Sequence, residues 1–144
     1  MQVLFILFAS LLLYRGMGVV GLAMFATWIG AARAALATML AFTASAHFTP
    51  TRRELSAMVP PGLPRPDLLV ALTGVAEGAG AVLLLVPATR RLAALGLVLL
   101  FILMLPANVS AARRNLTLRG RPATALWLRL PMQLLFIAWA WVVR

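Results

Sequence analysis

Long apolar stretches alternate with short arginine-bearing segments along this chain, and that alternation sets most of what can be expected of it. The first apolar run extends from Met1 to about Ile29, broken only by Arg15. The others cover roughly 31–48, 68–86, 92–112 and 125–143. Apolar runs of about 18 or more residues with few charges read as membrane-spanning helices. Inside hydrocarbon, backbone polar groups must pair within the structure, so spans are helices or closed barrels. These runs lack the two-residue alternation of a barrel strand. The expected architecture is therefore all-α: one polytopic transmembrane helical bundle occupying residues 1–144, with a core of four helices and one extra N-terminal transmembrane helix.

The first run is uneven. "VLFILFASLLLY" is uniformly apolar, whereas "GMGVVGLAMFATW" is punctuated by glycine and reads as a weaker continuation of the same span. It is too long for a signal peptide and has no basic segment before its apolar core. Trp28 fits an interfacial anchor, as do Trp127, Trp139 and Trp141 near the ends of the last run.

The polar segment at 49–67, "TPTRRELSAMVPPGLPRPD", is not a span. Thr51 to Glu54 matches the capping box that opens helices. A short helix is expected over Arg52–Met58, with Leu55, Met58 and Val59 as its apolar side, lying along the membrane surface. Pro60, Pro61, Pro64 and Pro66 stiffen the connection to the next run. Pro87–Arg91 makes a tight turn, and Arg113–Thr124 makes a polar loop. Asn108-Val-Ser and Asn115-Leu-Thr match the glycosylation pattern, but both lie in or beside a span on the expected cytoplasmic side and are set aside.

Composition reinforces the membrane reading. Of 144 residues, 63% are hydrophobic and 11% charged, and the mean hydropathy is +0.99. A soluble domain of this size could not build a polar shell from that. All 13 basic residues are arginine, against 3 acidic ones. They cluster between the apolar runs, as topology signals do, not on the solvated basic face that nucleic-acid binding requires. One side of the membrane receives Arg52, Arg53, Arg65, Arg113, Arg114, Arg119 and Arg121; the other receives Arg33, Arg90, Arg91 and Arg144. The richer set is expected to be cytoplasmic, with the N-terminus inside and the C-terminus outside a bacterial or archaeal cytoplasmic membrane. Cysteine is absent, which excludes disulfides, thiolate metal sites and dithiol redox chemistry from this chain alone. The single histidine excludes a bis-His haem held within one chain.

The candidate chemistry lies inside the spans. With a rise of about 1.5 Å per residue and a hydrocarbon core about 30 Å thick, Glu77 sits roughly 13–15 Å deep. Arg129 and Gln133 lie roughly 6 and 12 Å deep from the same side. His47 closes the second run on that side, and Asn108 lies just before the exit of the fourth. Arg129 and Gln133 share a helix face, as do Thr73 and Glu77, and Thr43 and His47. Gly74 and Gly78 leave room for another helix beside Glu77. Pro106 frees the carbonyl of Ile102. A charge near the bilayer centre costs about 2.5–3.5 kcal/mol on the lenient insertion scale and has a partner as a rule. Arg129 is the expected partner of Glu77. That pair either locks the bundle or belongs to a ligand site. His47 and Glu77 are two good metal ligands and Asn108 a poor third, so a metal site is a weak reading.

These residues carry a resemblance. "LAFTASAHF" (40–48), "MVPPGLPRPDLLVALTGVAEGAGAVLLLVPATRRLAALGL" (58–97), "LPANVSAARR" (105–114) and "PATALWLRLPMQLLFIAWAWV" (122–142) resemble a DoxX-type small membrane protein. The match covers roughly 31–143. The family's closing His-Phe falls on His47 and Phe48, its G-x-x-E on Gly74 and Glu77, its P-x-N on Pro106 and Asn108, and its R-x-P-x-Q on Arg129, Pro131 and Gln133. The resemblance implies a four-helix core and an association with quinone-linked membrane redox processes or with larger membrane complexes.

The leading expectation is a binding role. A small lipophilic ligand with a polar head, of which a quinone is one example, would occupy a cytoplasmic-side cavity lined by His47, Glu77, Asn108, Arg129 and Gln133. Arginine, histidine, asparagine and glutamine supply the donors that quinone carbonyls need. The alternatives are an accessory or assembly subunit whose partners are other membrane proteins or further copies of itself, and, ranked last, transport of a proton or small solute.

Overall fold

A computed structural model describes residues 2–114, 116–118, 121–122 and 125–144. Asn115 of the second glycosylation pattern, Arg119 of the arginine-rich side and Thr124 of the polar loop lie outside them. The described residues are almost entirely helical: α1 (Gln2–Val19), α2 (Trp28–Ala46), α3 (Arg52–Met58), α4 (Pro66–Leu85), α5 (Arg90–Leu103), α6 (Leu105–Arg113) and α7 (Leu126–Val142). A two-residue antiparallel pairing of Thr117–Leu118 with Arg121–Pro122 sits between α6 and α7.

The expected single span over Met1–Ile29 is not one helix. α1 stops at Val19, a 3-10 turn occupies Ala23–Phe25, and α2 starts at Trp28. Gly21 adopts φ +110°, a left-handed conformation that glycine enters without steric cost. Thr27 then caps α2, its Oγ1 accepting a hydrogen bond from the Gly30 amide at 3.0 Å. The glycine-punctuated segment is thus the hairpin between two antiparallel helices.

The short helix lies at Arg52–Met58 as expected, with Met58 buried. Its capping box does not form: Thr51 has helical dihedrals and no side-chain cap bond. A capping hydroxyl needs an extended backbone at that position to reach the N2 or N3 amide. The helix is held from outside instead. Ser56 donates to Asp67 Oδ1 at 2.6 Å. Arg114 donates to the carbonyls of Ala57 and Val59 at the helix end.

α2 packs on α4, α4 on α5, α5 on α7, and α7 returns to α2, while α1 packs along α2. The core lies where these meet. It is built from Leu36, Met39, Leu40, Leu84, Leu97, Phe101, Phe136 and Ala140. α2 is the most enclosed helix because alanine occupies 31, 34, 35 and 37, allowing neighbours to approach closely. Four segments are long and apolar enough to cross a membrane: Gln2–Val19, Trp28–Ala46, Pro66–Leu85 and Arg90–Arg113. Leu126–Val142 is apolar but shorter.

Candidate functional site

The site is assembled from helix ends and helix faces. α2 closes at His47, which is 5% exposed. Opposite it on α4 stands Gly74: a Cβ built there would fall 2.5 Å from His47 Cβ and 2.7 Å from Cγ. The missing side chain is what lets the imidazole lie against α4. His47 Nδ1 is 2.7 Å from the Val70 carbonyl oxygen. A carbonyl only accepts, so Nδ1 carries the hydrogen and donates it. The Thr73 hydroxyl donates to the same carbonyl at 2.9 Å.

Because Nδ1 is committed, Nε2 is the group left to act. It faces Glu77 Oε1 at 3.6 Å. Glu77 is 3% exposed, and its other oxygen, Oε2, accepts from the Thr43 hydroxyl at 2.6 Å. Two protonation arrangements satisfy this pair: imidazolium with carboxylate, or neutral imidazole with carboxylic acid. Both hold one proton on Nε2 or Oε1 and carry no net charge, which keeps the cost of burial low.

The expected Glu77–Arg129 ion pair is not the arrangement found. Glu77 is bonded to Thr43 and faces His47, while Arg129 Nη1 donates to Asn108 Oδ1 at 3.0 Å. Depth counting puts Glu77 and Arg129 at compatible heights. It does not fix the rotation of α4, which turns Glu77 toward α2 and away from α7.

The second polar set runs in one direction. Arg129 donates to Asn108, Asn108 Nδ2 donates to Gln133 Oε1 at 3.1 Å, and Gln133 Nε2 donates to the Phe101 carbonyl at 2.7 Å. Gln133 is buried. The sequence singles out the carbonyl of Ile102, freed by Pro106, as an acceptor in this region; the carbonyl that Gln133 uses is that of Phe101. The break between α5 and α6 at Met104, one residue before Leu105-Pro106, instead presents Phe101. The shared face of Arg129 and Gln133 holds, since both reach Asn108.

The five candidate residues therefore fall into two sets: His47 facing Glu77 between α2 and α4, and the hydrogen-bonded Asn108, Arg129 and Gln133 between α6 and α7. Sequence reasoning passed over Tyr14, whose hydroxyl is 2.8 Å from Thr38 Oγ1, and read Arg33 only as a topology signal, whereas its Nε donates to the Val143 carbonyl at 3.0 Å. The signal for the first was a lone tyrosine inside an otherwise apolar run. For the second it was an arginine one turn inside an alanine-rich helix.

Compared with known proteins, residues 36–144 match the family model described as a domain of unknown function, DUF8561. That span takes in all five candidate residues and leaves α1 and the first turns of α2 outside. No curated protein and no solved structure matches the chain.

Proposed function

We propose that this chain, which belongs to the DUF8561 family, is a DoxX-like integral membrane protein that binds a lipophilic molecule with a polar head, of the quinone class. Its N-terminus lies inside and its C-terminus outside a cytoplasmic membrane. The observation that carries this reading is the buried His47–Glu77 pair. Nε2 and Oε1 face each other at 3.6 Å, too far for a strong hydrogen bond, while the other polar atom of each side chain is already bonded. Two groups that share one proton and lack a close partner suit a head group that accepts or donates a hydrogen. A quinone carbonyl would accept a hydrogen bond from this pair; a quinol hydroxyl would donate one. Asn108, Arg129 and Gln133 would contribute donors to the far side of such a head by exchanging bonds they now make to one another.

The test is direct. The protein is purified in mild detergent and its lipophilic contents are identified by mass spectrometry, alongside Glu77→Gln and His47→Gln. A quinone retained by the parent and lost from both variants, with helix content unchanged, supports the proposal. Equal retention in all three, or no quinone in any, overturns it.

A second reading is an accessory subunit of a larger membrane complex. It is favoured by the Arg129–Asn108–Gln133–Phe101 chain, in which each donor meets an acceptor within the protein. A stoichiometric protein partner in the same preparation would favour it.

A further inference from the structure

Arginines gather at the end of the bundle away from α3. The start of α2 and the end of α7 meet there: Arg33 Nε donates to the Val143 carbonyl, and Trp139 Nε1 donates to the Ala32 carbonyl at 3.0 Å. α5 opens at the same end with Arg90 and Arg91, and Arg33 lies within electrostatic reach of Arg90. Arg144 places its guanidinium 3.6 Å from the centre of the Trp141 ring.

Among the described residues, no Asp or Glu side chain offsets these four charges. The chain has 3 acidic residues. Glu54 lies in α3 and Asp67 in the first turn of α4, both at the other end, and Glu77 is buried between. α5 adds to the imbalance. Its first turn holds arginine and no acidic residue, and Thr89 gives it no side-chain cap. The Thr89 hydroxyl points back to the Leu83 carbonyl at 2.8 Å. Cations at the positive end of a helix dipole are unfavourable unless an anion sits beside them. Arg33 spends Nε on Val143, which leaves its two terminal nitrogens to meet such an anion.

We propose that this end of the bundle binds the phosphate-bearing head groups of anionic phospholipids, with Arg33, Arg90 and Arg91 as the contacting cations. The proposal rests on the membrane reading. It commits to lipid over free phosphate because the arginines lie at the ends of long apolar helices, at the end of the bundle that also carries exposed Trp28 and Trp141, side chains that settle at the head-group level. Arginine matches phosphate through paired N–H donors, a geometry that a zwitterionic head shields with its own cation.

The experiment uses the full chain in mild detergent, with native mass spectrometry after adding phosphatidylglycerol or phosphatidylcholine. Phosphatidylglycerol is expected to be retained in preference. Each arginine contact removed is expected to weaken retention roughly fivefold. Arg33→Gln also removes the tie to Val143 between α2 and α7, so Arg90→Gln with Arg91→Gln forms the second variant, which gives up only the local, exposed bond from Arg90 to the Pro87 carbonyl. Arg52→Gln with Arg53→Gln at the opposite end is the control and should change nothing. Equal retention of both lipids, equal loss in the control, or full displacement by inorganic phosphate overturns the proposal. Fractionation of the parent with carbonate-washed membranes separates this outcome from failure of the membrane reading itself.

Discussion

His47 and Glu77 face each other between α2 and α4, with Nε2 and Oε1 3.6 Å apart and both side chains almost wholly buried. Each is oriented by a separate anchor: the Val70 carbonyl fixes the imidazole, and the Thr43 hydroxyl fixes the carboxyl. The facing atoms are therefore held in position without being tightly bonded to one another. This relationship makes the size and the charge of residue 77 separable by substitution.

Glu77→Gln keeps an oxygen for Thr43 and nearly the same volume. It should shift thermal stability in detergent by less than about 1 kcal/mol, the scale of one ordinary hydrogen bond. Glu77→Ala removes the Thr43 acceptor and the volume, and takes away the carboxyl that faces the buried imidazole Nε2. It should cost about 1–3 kcal/mol. Thermal melts of both variants decide this. Equal effects would mean that the carboxyl oxygens do not organise the site.

The glycines of α4 make a paired prediction. At Gly74 an added Cβ would lie 2.5 Å from His47 Cβ, and at Gly78 it would lie 3.9 Å from Ala44 Cβ. Gly74→Ala must push α2 and α4 apart or displace the imidazole, at a cost of about 1–3 kcal/mol. Gly78→Ala meets only an ordinary van der Waals contact, so the helix propensity of alanine can stabilise the protein by up to about 1 kcal/mol. The two melting temperatures should move in opposite directions. A shift of the same sign would show that the close approach at His47 is not what the first glycine serves.

The parts of the fold that are legible in the sequence are those governed by local or one-dimensional rules. The length of the apolar runs locates α2, α4 and α7 to within a few residues, and three-and-four spacing puts Arg129 with Gln133 and Thr43 with His47 on shared faces. The turn at Gly21 is not legible, because a glycine there is equally compatible with a weak span; only the fold shows its positive φ. The partner of Glu77 is misassigned for a different reason. Depth along an axis is one coordinate, and choosing between α2 and α7 as neighbour needs the rotation of α4, which packing at Gly74 decides. Thr51 to Glu54 fails as a capping box although it matches the pattern, since the backbone at Thr51 continues the preceding turn.

The polar chain at α6 and α7 should behave as a unit. Gln133→Leu removes both the acceptor for Asn108 and the donor for the Phe101 carbonyl. It should cost about 1–3 kcal/mol, because the buried carbonyl then has no partner in this set. A double-mutant cycle pairing it with Asn108→Ala isolates the contact between the two amides. Coupling there is expected at about 0.6 kcal/mol and no more than about 1.7, the range found for hydrogen bonds between membrane helices. Zero coupling would reduce the chain to independent contacts.

Orientation in the membrane can be read without background, because the chain contains no cysteine. Gly62 and Ala88 are both exposed, and Gly62 has open space around its Cα where a side chain would stand. They lie in the turns at opposite ends of α4, before Pro66 and after Leu85, so a single cysteine at each reports one side. The segment around Gly62 is flanked by Arg52, Arg53 and Arg65 and is tied by Arg114, whereas the turn at Ala88 carries Arg90 and Arg91. The excess of arginine near short loops sets orientation, so Gly62 is the position expected in the cytoplasm. A membrane-impermeant maleimide applied to intact cells should label Ala88→Cys and leave Gly62→Cys unlabelled until the cells are opened. Labelling of both from outside would mean that α4 does not cross. Labelling of Gly62→Cys alone would invert the topology and put the α3 end of the bundle, with His47, on the outer side.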